Sequence, residues 1–272
     1  MAHRSRAASP LRRRRGRLSV RQAVVLGLIQ GPAEVLPVSS SGHLVLVPAL
    51  LGWPYARLPA DVRKSFEVAL HAGAGLALLW ILRREAADAA RDPVGTTLMT
   101  APAAAVALAL EDRIERKASD PRIAAIAMVV AGSALAVADA VPPREGVTPV
   151  KPGDKLAVGL AQAAALVPGV SRNGATLTAA RALGFDPGTA ARLSWQAGLP
   201  IIGGATALKL VRLWQRGLDG ELRAPFAVGA ATAFAATLAA APLIRVRRQR
   251  LVAAYRVALG AFALHRLEWP RG

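Results

Sequence analysis

Residues 30–43 read Gln-Gly-Pro-Ala-Glu-Val-Leu-Pro-Val-Ser-Ser-Ser-Gly-His, and residues 168–176 read Pro-Gly-Val-Ser-Arg-Asn-Gly-Ala-Thr. Both stretches are polar and broken by Gly and Pro, and both interrupt long apolar sequence. Together they supply a carboxylate (Glu34), a row of hydroxyls (Ser39, Ser40, Ser41), an imidazole (His43) and a guanidinium (Arg172). Such a set can bind and cleave a phosphate. Glu34 has no positive side chain close by in sequence, and a carboxylate at membrane depth is costly enough to mark function by default. The bland alternative is a Glu that snorkels to an interface. A helix N-cap accounts for one serine, not three, and a Ser/Gly loop before a helix also turns backbone N–H groups toward an anion. His43, next to the serines, suits acid–base chemistry. Arg172 is the strong cation of the second stretch, and a guanidinium grips phosphate oxygens as a bidentate fork. Ser171, Asn173 and Thr176 can add hydrogen bonds to the same ligand.

The elements that carry these residues are apolar. The chain is 53% hydrophobic but only 4% aromatic, with a mean hydropathy of +0.35. A membrane span needs roughly 20 mostly apolar residues. Runs near that length fall at residues 66–82, 94–110, 123–141, 193–211, 226–244 and 251–264. Several are rich in Ala and Gly, which suits close helix packing in a bundle. A soluble Ala-rich helical protein would show shorter amphipathic pieces instead. The net charge of +18 could mean nucleic acid. The cations sit at the ends of apolar runs, however: Arg83 and Arg84; Arg113, Arg116 and Lys117; Arg245, Arg247, Arg248 and Arg250. No aromatic residues interleave them as stacking platforms, so they read as anchors at the lipid headgroups. Cysteine is absent, which excludes disulfides, thiolate metal sites and a cysteine nucleophile. Residues 1–21 form an Arg-rich tail, expected to be disordered and retained, because the stretch after it carries the first motif rather than a cleavage site. Residues 22–272 are expected to form one integral membrane domain.

The chain contains itself twice. Laid over each other, Gly27 falls on Gly159, Gln30 on Gln162, Val38 on Val170, Ser39 on Ser171, Gly42 on Gly174 and Gly52 on Gly184. The two halves run from about 22 to 150 and from about 154 to 272. Each begins with a polar, Pro-broken segment, residues 22–51 and 155–183, followed by three apolar runs. Pro37 and Pro168 interrupt helices, and each segment is long enough to go in and come back. Backbone that is not helical at membrane depth is tolerated only inside protein or beside a wet cavity. The expected fold is therefore all-α, with six transmembrane helices and two re-entrant helical hairpins. Three spans after a re-entrant hairpin leave the chain on the opposite side, so the second half is inverted. Inverted repeats set their broken segments face to face near the midplane, and Glu34, Ser40, His43 and Arg172 are expected to meet in one cavity.

The first motif resembles that of the bacitracin-resistance type undecaprenyl-diphosphate phosphatases, Gln/Glu-Gly-x-Thr-Glu-x-Leu-Pro-Val/Ile-Ser-Ser-Ser/Thr-Gly-His. The second resembles their Pro-Gly-x-Ser-Arg-Ser-Gly-Ala-Thr. Residues 66–73 and 191–200 resemble further stretches of the family, and the likeness runs from about Val24 to the last apolar run. The resemblance implies a multi-pass enzyme of the bacterial cytoplasmic membrane that removes the terminal phosphate from a C55 polyprenyl diphosphate and so recycles the carrier lipid for cell-wall synthesis. It implies a divalent cation, Mg²⁺ or Ca²⁺, with Glu34 as its ligand. It carries the family's acid to Glu34, its serine and histidine to Ser40 and His43, and its arginine to Arg172. Gln30 takes the Gln-or-Glu position. With Ser39 and Ser41 it joins Ser171, Asn173 and Thr176 as a substrate-binding residue. Pro32-Ala33, Asn173 and Leu193-Ser194-Trp195-Gln196 depart from the family pattern. The expected partners are the lipid diphosphate, the surrounding membrane lipids and, in a homodimer, a second copy; nucleic acid is not among them.

Two further readings compete. Broken helices in an inverted repeat are also a transporter architecture, which makes a polyprenyl-phosphate flippase the alternative function. A transporter needs an anion site but has no use for Ser, His and Glu beside the arginine. A purely structural membrane protein would leave the polarity of both motifs unexplained. For the hydrolase, the expected chemistry is attack by Ser40 on the terminal phosphorus, with His43 taking the proton and Glu34 orienting His43 or holding the cation. Direct attack by water is the rival.

Overall fold

The computed structural model describes residues 18–267 except 118–119, 145–148, 217–219 and 247–248. The Arg-rich tail up to residue 17 lies outside the described residues, as do Arg247, Arg248 and the side chains of Arg113, Arg116 and Lys117. Among the described residues the secondary structure is entirely helical.

Helix α1 (Val20–Val35) starts at Ser19, whose Oγ accepts from Gln22 N at 3.2 Å while Gln22 Oε1 accepts from Ser19 N at 3.3 Å. This reciprocal cap satisfies two N-terminal donors. Helix α2 (Ser40–Leu50) begins after a four-residue break. Then come α3 (Ala60–Ile81), α4 (Arg83–Arg91), α5 (Pro93–Lys117) and α6 (Pro121–Ala140). The second half repeats the start: α7 (Pro152–Ala163), a 3₁₀ turn at Ala164–Leu166, and α8 (Arg172–Ala182). Helices α9 (Pro187–Arg216), α10 (Gly220–Ala239) and α11 (Gln249–Arg266) complete the chain. Pro93, Pro121, Pro152 and Pro187 each open a helix, where the missing N–H costs nothing.

Among the described residues three helices are long and apolar enough to cross a membrane: Pro93–Leu110 within α5, Pro121–Ala140 and Gly220–Ala239. The apolar run at 66–82 lies in α3 and ends at a 79° bend into α4, and this pair makes a fourth crossing if counted as one span. The runs at 193–211 and 251–264 do form helices, α9 and α11, but carry polar residues such as Ser194, Gln196 and Arg256 that lower their apolarity.

Two of the main helix contacts correspond between the halves of the chain. Helix α1 packs most extensively on α10, and α7 on α5, while α6 and α11 pack on each other. Matching glycines make the first two contacts. A Cβ on Gly27 would come within 2.8 Å of Gly229 O on α10, and one on Gly159 would run into Leu98 O on α5. Small residues let helix backbones approach where lipid gives no hydrophobic drive. Helix α3 also leans on α10 through Phe66, Leu70 and Phe226. This arrangement places the two helix breaks, 36–39 and 167–171, beside the start of α9 and the middle of α11.

Candidate functional site

Both breaks are written by proline. Leu36 precedes Pro37 and is extended, with φ −84° and ψ 151°. Val167 precedes Pro168 and is extended too, with φ −80° and ψ 121°. A residue before proline is driven from the helical region. The chain re-enters helix through Ser39 and Ser171, which have φ of 73° and 70° and are the non-glycine residues with positive φ among those described. Each hydroxyl caps the helix it starts: Ser39 Oγ accepts from Gly42 N at 3.2 Å, and Ser171 Oγ from Gly174 N at 3.1 Å. Backbone strain of this kind costs on the order of 1–3 kcal/mol per residue and concentrates at functional sites. The first helical residue after each cap is Ser40 on one side and Arg172 on the other.

These two residues and Glu34 face one cavity of about 350 Å³, also lined by Ser39, Ser41, Ser171 and Asn173. Glu34 meets several of the cavity's polar groups. Its Oε2 accepts a 2.6 Å hydrogen bond from Ser40 Oγ and a 3.1 Å bond from Gln30 Nε2, one turn earlier on α1. Arg172 Nη2 stands 4.0 Å from Glu34 Oε1, with the two side chains 15% and 10% exposed. A carboxylate that accepts a short bond from a hydroxyl is placed to take its proton. The Arg172 guanidinium lies over the Trp195 ring, 5.5 Å from its centroid. It presses so closely on α9 that any Cβ at Gly198 would collide with Nη1. That nitrogen is buried and has no hydrogen-bond partner among the described residues.

His43 is placed elsewhere, which corrects the expected proton route. Its Nδ1 meets Ser39 O at 2.8 Å and its Nε2 meets the Tyr255 hydroxyl at 2.7 Å. Its ring stacks on Tyr255, with centroids 5.7 Å apart and planes 9° from parallel. It lines a separate apolar groove between α1, α2 and α11. Both ring nitrogens are engaged away from Ser40, so His43 does not receive that proton in this geometry and Glu34 does not orient it.

Other expected substrate contacts divide. Ser39, Ser41, Ser171 and Asn173 line the cavity. Asn173 is also a tie between the halves: its Nδ2 donates to Val35 O at 3.2 Å, and its Oδ1 accepts from Ser194 Oγ at 2.7 Å. Thr176 is fully buried beneath, 2.6 Å from Ser194 Oγ, and Gln30 is fully buried behind Glu34. Neither lines the cavity, so both serve the site through Asn173 or Glu34 rather than by touching a ligand.

Helix α3 contributes residues that the two motifs do not include. Lys64, Glu67 and His71 line the cavity. His71 Nδ1 bonds Glu67 O at 2.8 Å, which turns Nε2 toward Glu34 Oε2 at 3.7 Å. Their spacing of three and four residues along a polar stripe is the signal that one helical face carries them. No group of three or more His, Asp or Glu residues is arranged to hold a metal among the described residues. The cavity nevertheless offers Glu34 and Glu67, and Mg²⁺ is commonly held by one or two carboxylates together with substrate phosphates. Such an ion fits this donor set, whereas the six to eight oxygens of an all-protein Ca²⁺ cage are not supplied.

An all-helical, multi-pass membrane protein with a carboxylate, a hydroxyl and a guanidinium converging from two broken helices belongs to the class that handles phosphorylated groups inside the membrane. Comparison with known proteins narrows this class. Residues 23–262 match the family described as bacitracin resistance protein BacA, and the chain belongs to that family. It is 41% identical to an undecaprenyl-diphosphatase of Pelotomaculum thermopropionicum over 79% of this chain and 83% of that protein. It is 39% identical to an undecaprenyl-diphosphatase of Geobacter sulfurreducens over 84% of this chain and 90% of that one. A third protein of that name, from Thermomicrobium roseum, is 35% identical over 91% of this chain and 98% of its own length.

Proposed function

We infer that this chain is an undecaprenyl-diphosphate phosphatase, hydrolysing the lipid diphosphate to undecaprenyl phosphate and inorganic phosphate and so recycling the carrier for cell-wall synthesis. The family and the relatives' names support this reading. The observation that carries it is the 2.6 Å bond from Ser40 to Glu34, with Arg172 in the same cavity wall. A flippase would need the cation but not a hydroxyl held against a carboxylate.

That geometry supports the following order of reaction. The diphosphate enters against Arg172, whose fork offsets charge on the transferring phosphoryl group. Ser40 Oγ attacks the terminal phosphorus as Glu34 takes the hydroxyl proton. The bridging P–O bond breaks, and its electron pair leaves with the polyprenyl phosphate. Water then attacks the phosphoserine; the Oγ–P bond breaks, phosphate departs, and Ser40 recovers its proton from Glu34. Gln30, donating to Glu34 from behind, keeps the carboxylate turned toward Ser40. Lys64 and His71 are cavity-lining groups able to meet the outer phosphate oxygens. A divalent cation bound at Glu34 and Glu67 would supply further charge neutralisation on the diphosphate.

The wider arrangement we propose is a single membrane domain in the bacterial cytoplasmic membrane, with six spans and two re-entrant hairpins related as an inverted repeat. The repeated pairing of α1 with α10 and α7 with α5 supports it. The decisive assay is phosphate release from C55 diphosphate by the purified protein in detergent, with and without EDTA. Release of one phosphate per lipid is expected, and loss of rate in EDTA that Mg²⁺ restores supports the cation. Binding of the lipid without release would overturn the hydrolase in favour of transport.

A further inference from the structure

Helix α11 carries a charge that the hydrolysis does not use. Arg256 is fully buried. Its Nη1 donates to Pro37 O at 3.2 Å, and its Nη2 donates to Gly169 O at 2.9 Å and Val170 O at 2.6 Å. All three acceptors are main-chain carbonyls, and they belong to the two helix breaks. Pro37 lies between Glu34 and Ser40. Gly169 and Val170 lie directly before Ser171 and Arg172. One guanidinium on the last helix therefore bridges the loop that carries the nucleophile and the loop that carries the cation. The neighbouring Tyr255 holds His43, which in turn meets the carbonyl of the strained Ser39. Burying a guanidinium costs several kcal/mol before its hydrogen bonds are counted.

We propose that Arg256 is a positioning residue that sets the distance between Ser40 and Arg172 by pinning the two breaks to each other. This rests on the reading that Ser40 and Arg172 act on one diphosphate. The fork is what the role requires. Its planar donors reach carbonyls on two separate loops, whereas an ammonium on a flexible stem offers one point of charge. Arg256 stays outside the catalytic cavity, so its loss changes alignment more than substrate capture. Misplacement of about 1 Å at a reacting centre can cost about a hundredfold in rate.

The test compares Arg256→Lys and Arg256→Met with the unaltered protein, each as the full chain in detergent. Rates of phosphate release from C55 diphosphate are normalised to folded, monodisperse protein. The expected result is a kcat lower by about tenfold to a hundredfold with KM within about threefold, the Lys variant keeping more rate than the Met variant. Arg172→Lys is then added to each background. Because both residues serve one alignment, its cost should be smaller beside Arg256→Met than alone. Folded Arg256→Met with near-normal kcat overturns the proposal, as do losses that multiply independently or fall only on KM. If the Met variant does not fold, the Lys variant decides by the same criteria. If neither folds, Arg256 is a general structural residue and the proposal is lost. An unaltered protein that releases no phosphate would instead break the functional reading beneath it.

Discussion

Ser39 and Ser171 occupy matching places in the two halves, and the chain bends in the same way at both, with φ of 73° and 70°. Each hydroxyl caps the next helix through the N–H of the glycine three residues on. Beyond the caps the two hairpins diverge. The first places Ser40 at the first helical position and has Glu34 behind it, whereas the second places Arg172 there and has Leu166 where the acid would stand. Gln30 donates to Glu34, but its counterpart Gln162 donates to Met99 O on α5 at 2.8 Å. Both hairpins thus retain one strained backbone frame, and the reactive groups are shared out between them. In the proposed mechanism neither is a site alone: the first brings nucleophile and base, the second the charge that receives the phosphate.

Removing the first hairpin's specialisation should have the largest effect. Ser40→Ala is expected to lower kcat by at least about a thousandfold if Oγ is the nucleophile, since loss of a nucleophile disables the catalytic unit. Loss of a single hydrogen bond would cost only about tenfold. Ser39→Ala and Ser41→Ala, measured alongside, should stay in the milder range. A Ser40→Ala enzyme with a substantial fraction of normal turnover would make water the attacking group and Ser40 a donor.

The second hairpin's specialisation comes next. Arg172→Lys is expected to cost about tenfold to a hundredfold in kcat/KM, from loss of one charge-assisted bond worth roughly 1.5–3 kcal/mol. The guanidinium shape is also built into α9: Gly198 leaves no room for a Cβ beside Nη1, and Trp195 stacks beneath it. Near-full phosphatase activity in the Lys variant would make Arg172 structural.

The sequence shows the two breaks because they arise from local chemistry: prolines, capping serines and a polar run within apolar sequence. It also shows matching segments in the two halves, and from them comes the expectation that Ser40 and Arg172 share a cavity, whose lining includes both. Side-chain direction is not. His43 is one helical turn beyond Ser40, and spacing alone turns it toward the cavity; its actual partner, Tyr255, comes from the last helix. Asn173 and Thr176 are drawn inward by Ser194 on α9 for the same reason. The run at 66–82 ends where its apolarity does, at the 79° bend between α3 and α4. The stripe of Lys64, Glu67 and His71 is visible as a helical face, but nothing in the chain order says that this face meets Glu34.

The matched glutamines sharpen the comparison at a smaller scale. Gln30→Leu removes a donor from Glu34 and is expected to lower kcat by about tenfold, the low end of the worth of one hydrogen bond to a charged group. Gln162→Leu removes a tie between α7 and α5 and should instead lower the thermal midpoint with kcat unchanged. Equal effects of the two changes on kcat would mean that chemistry and support are not divided between the hairpins.

The smallest expected effect lies where the second hairpin begins. Lys155 on α7 pairs with Asp92, which also caps α5 by accepting from Gly95 N at 2.9 Å. The matching residue of the first hairpin, Ala23, is fully buried in the cluster that includes Phe226 and Ala233 of α10, so among the described residues the ion pair has no counterpart at that position. The Lys155 hydrogen bond, and then the Gly95 N–H, hold the Asp92 carboxyl below the usual carboxylate range. A carboxylate whose folded-state pKa is depressed stabilises the fold above its unfolded pKa of about 4, and that contribution is lost as pH falls further toward the folded value. The Asp92 side chain is 46% exposed, so solvent screens the pair and its worth is at most about 1 kcal/mol. Asp92→Asn retains an oxygen for Gly95 and removes only the charge. Its thermal midpoint should lie below that of the unaltered protein by no more than about 2–4 °C at neutral pH. The gap should hold down to about pH 5 and close below about pH 4, as the native carboxylate takes up its proton. Catalysis at neutral pH should not change, because Asp92 stands away from the cavity. A gap that persists unchanged at acid pH would mean that the charge pairing with α7 is not what separates the two proteins.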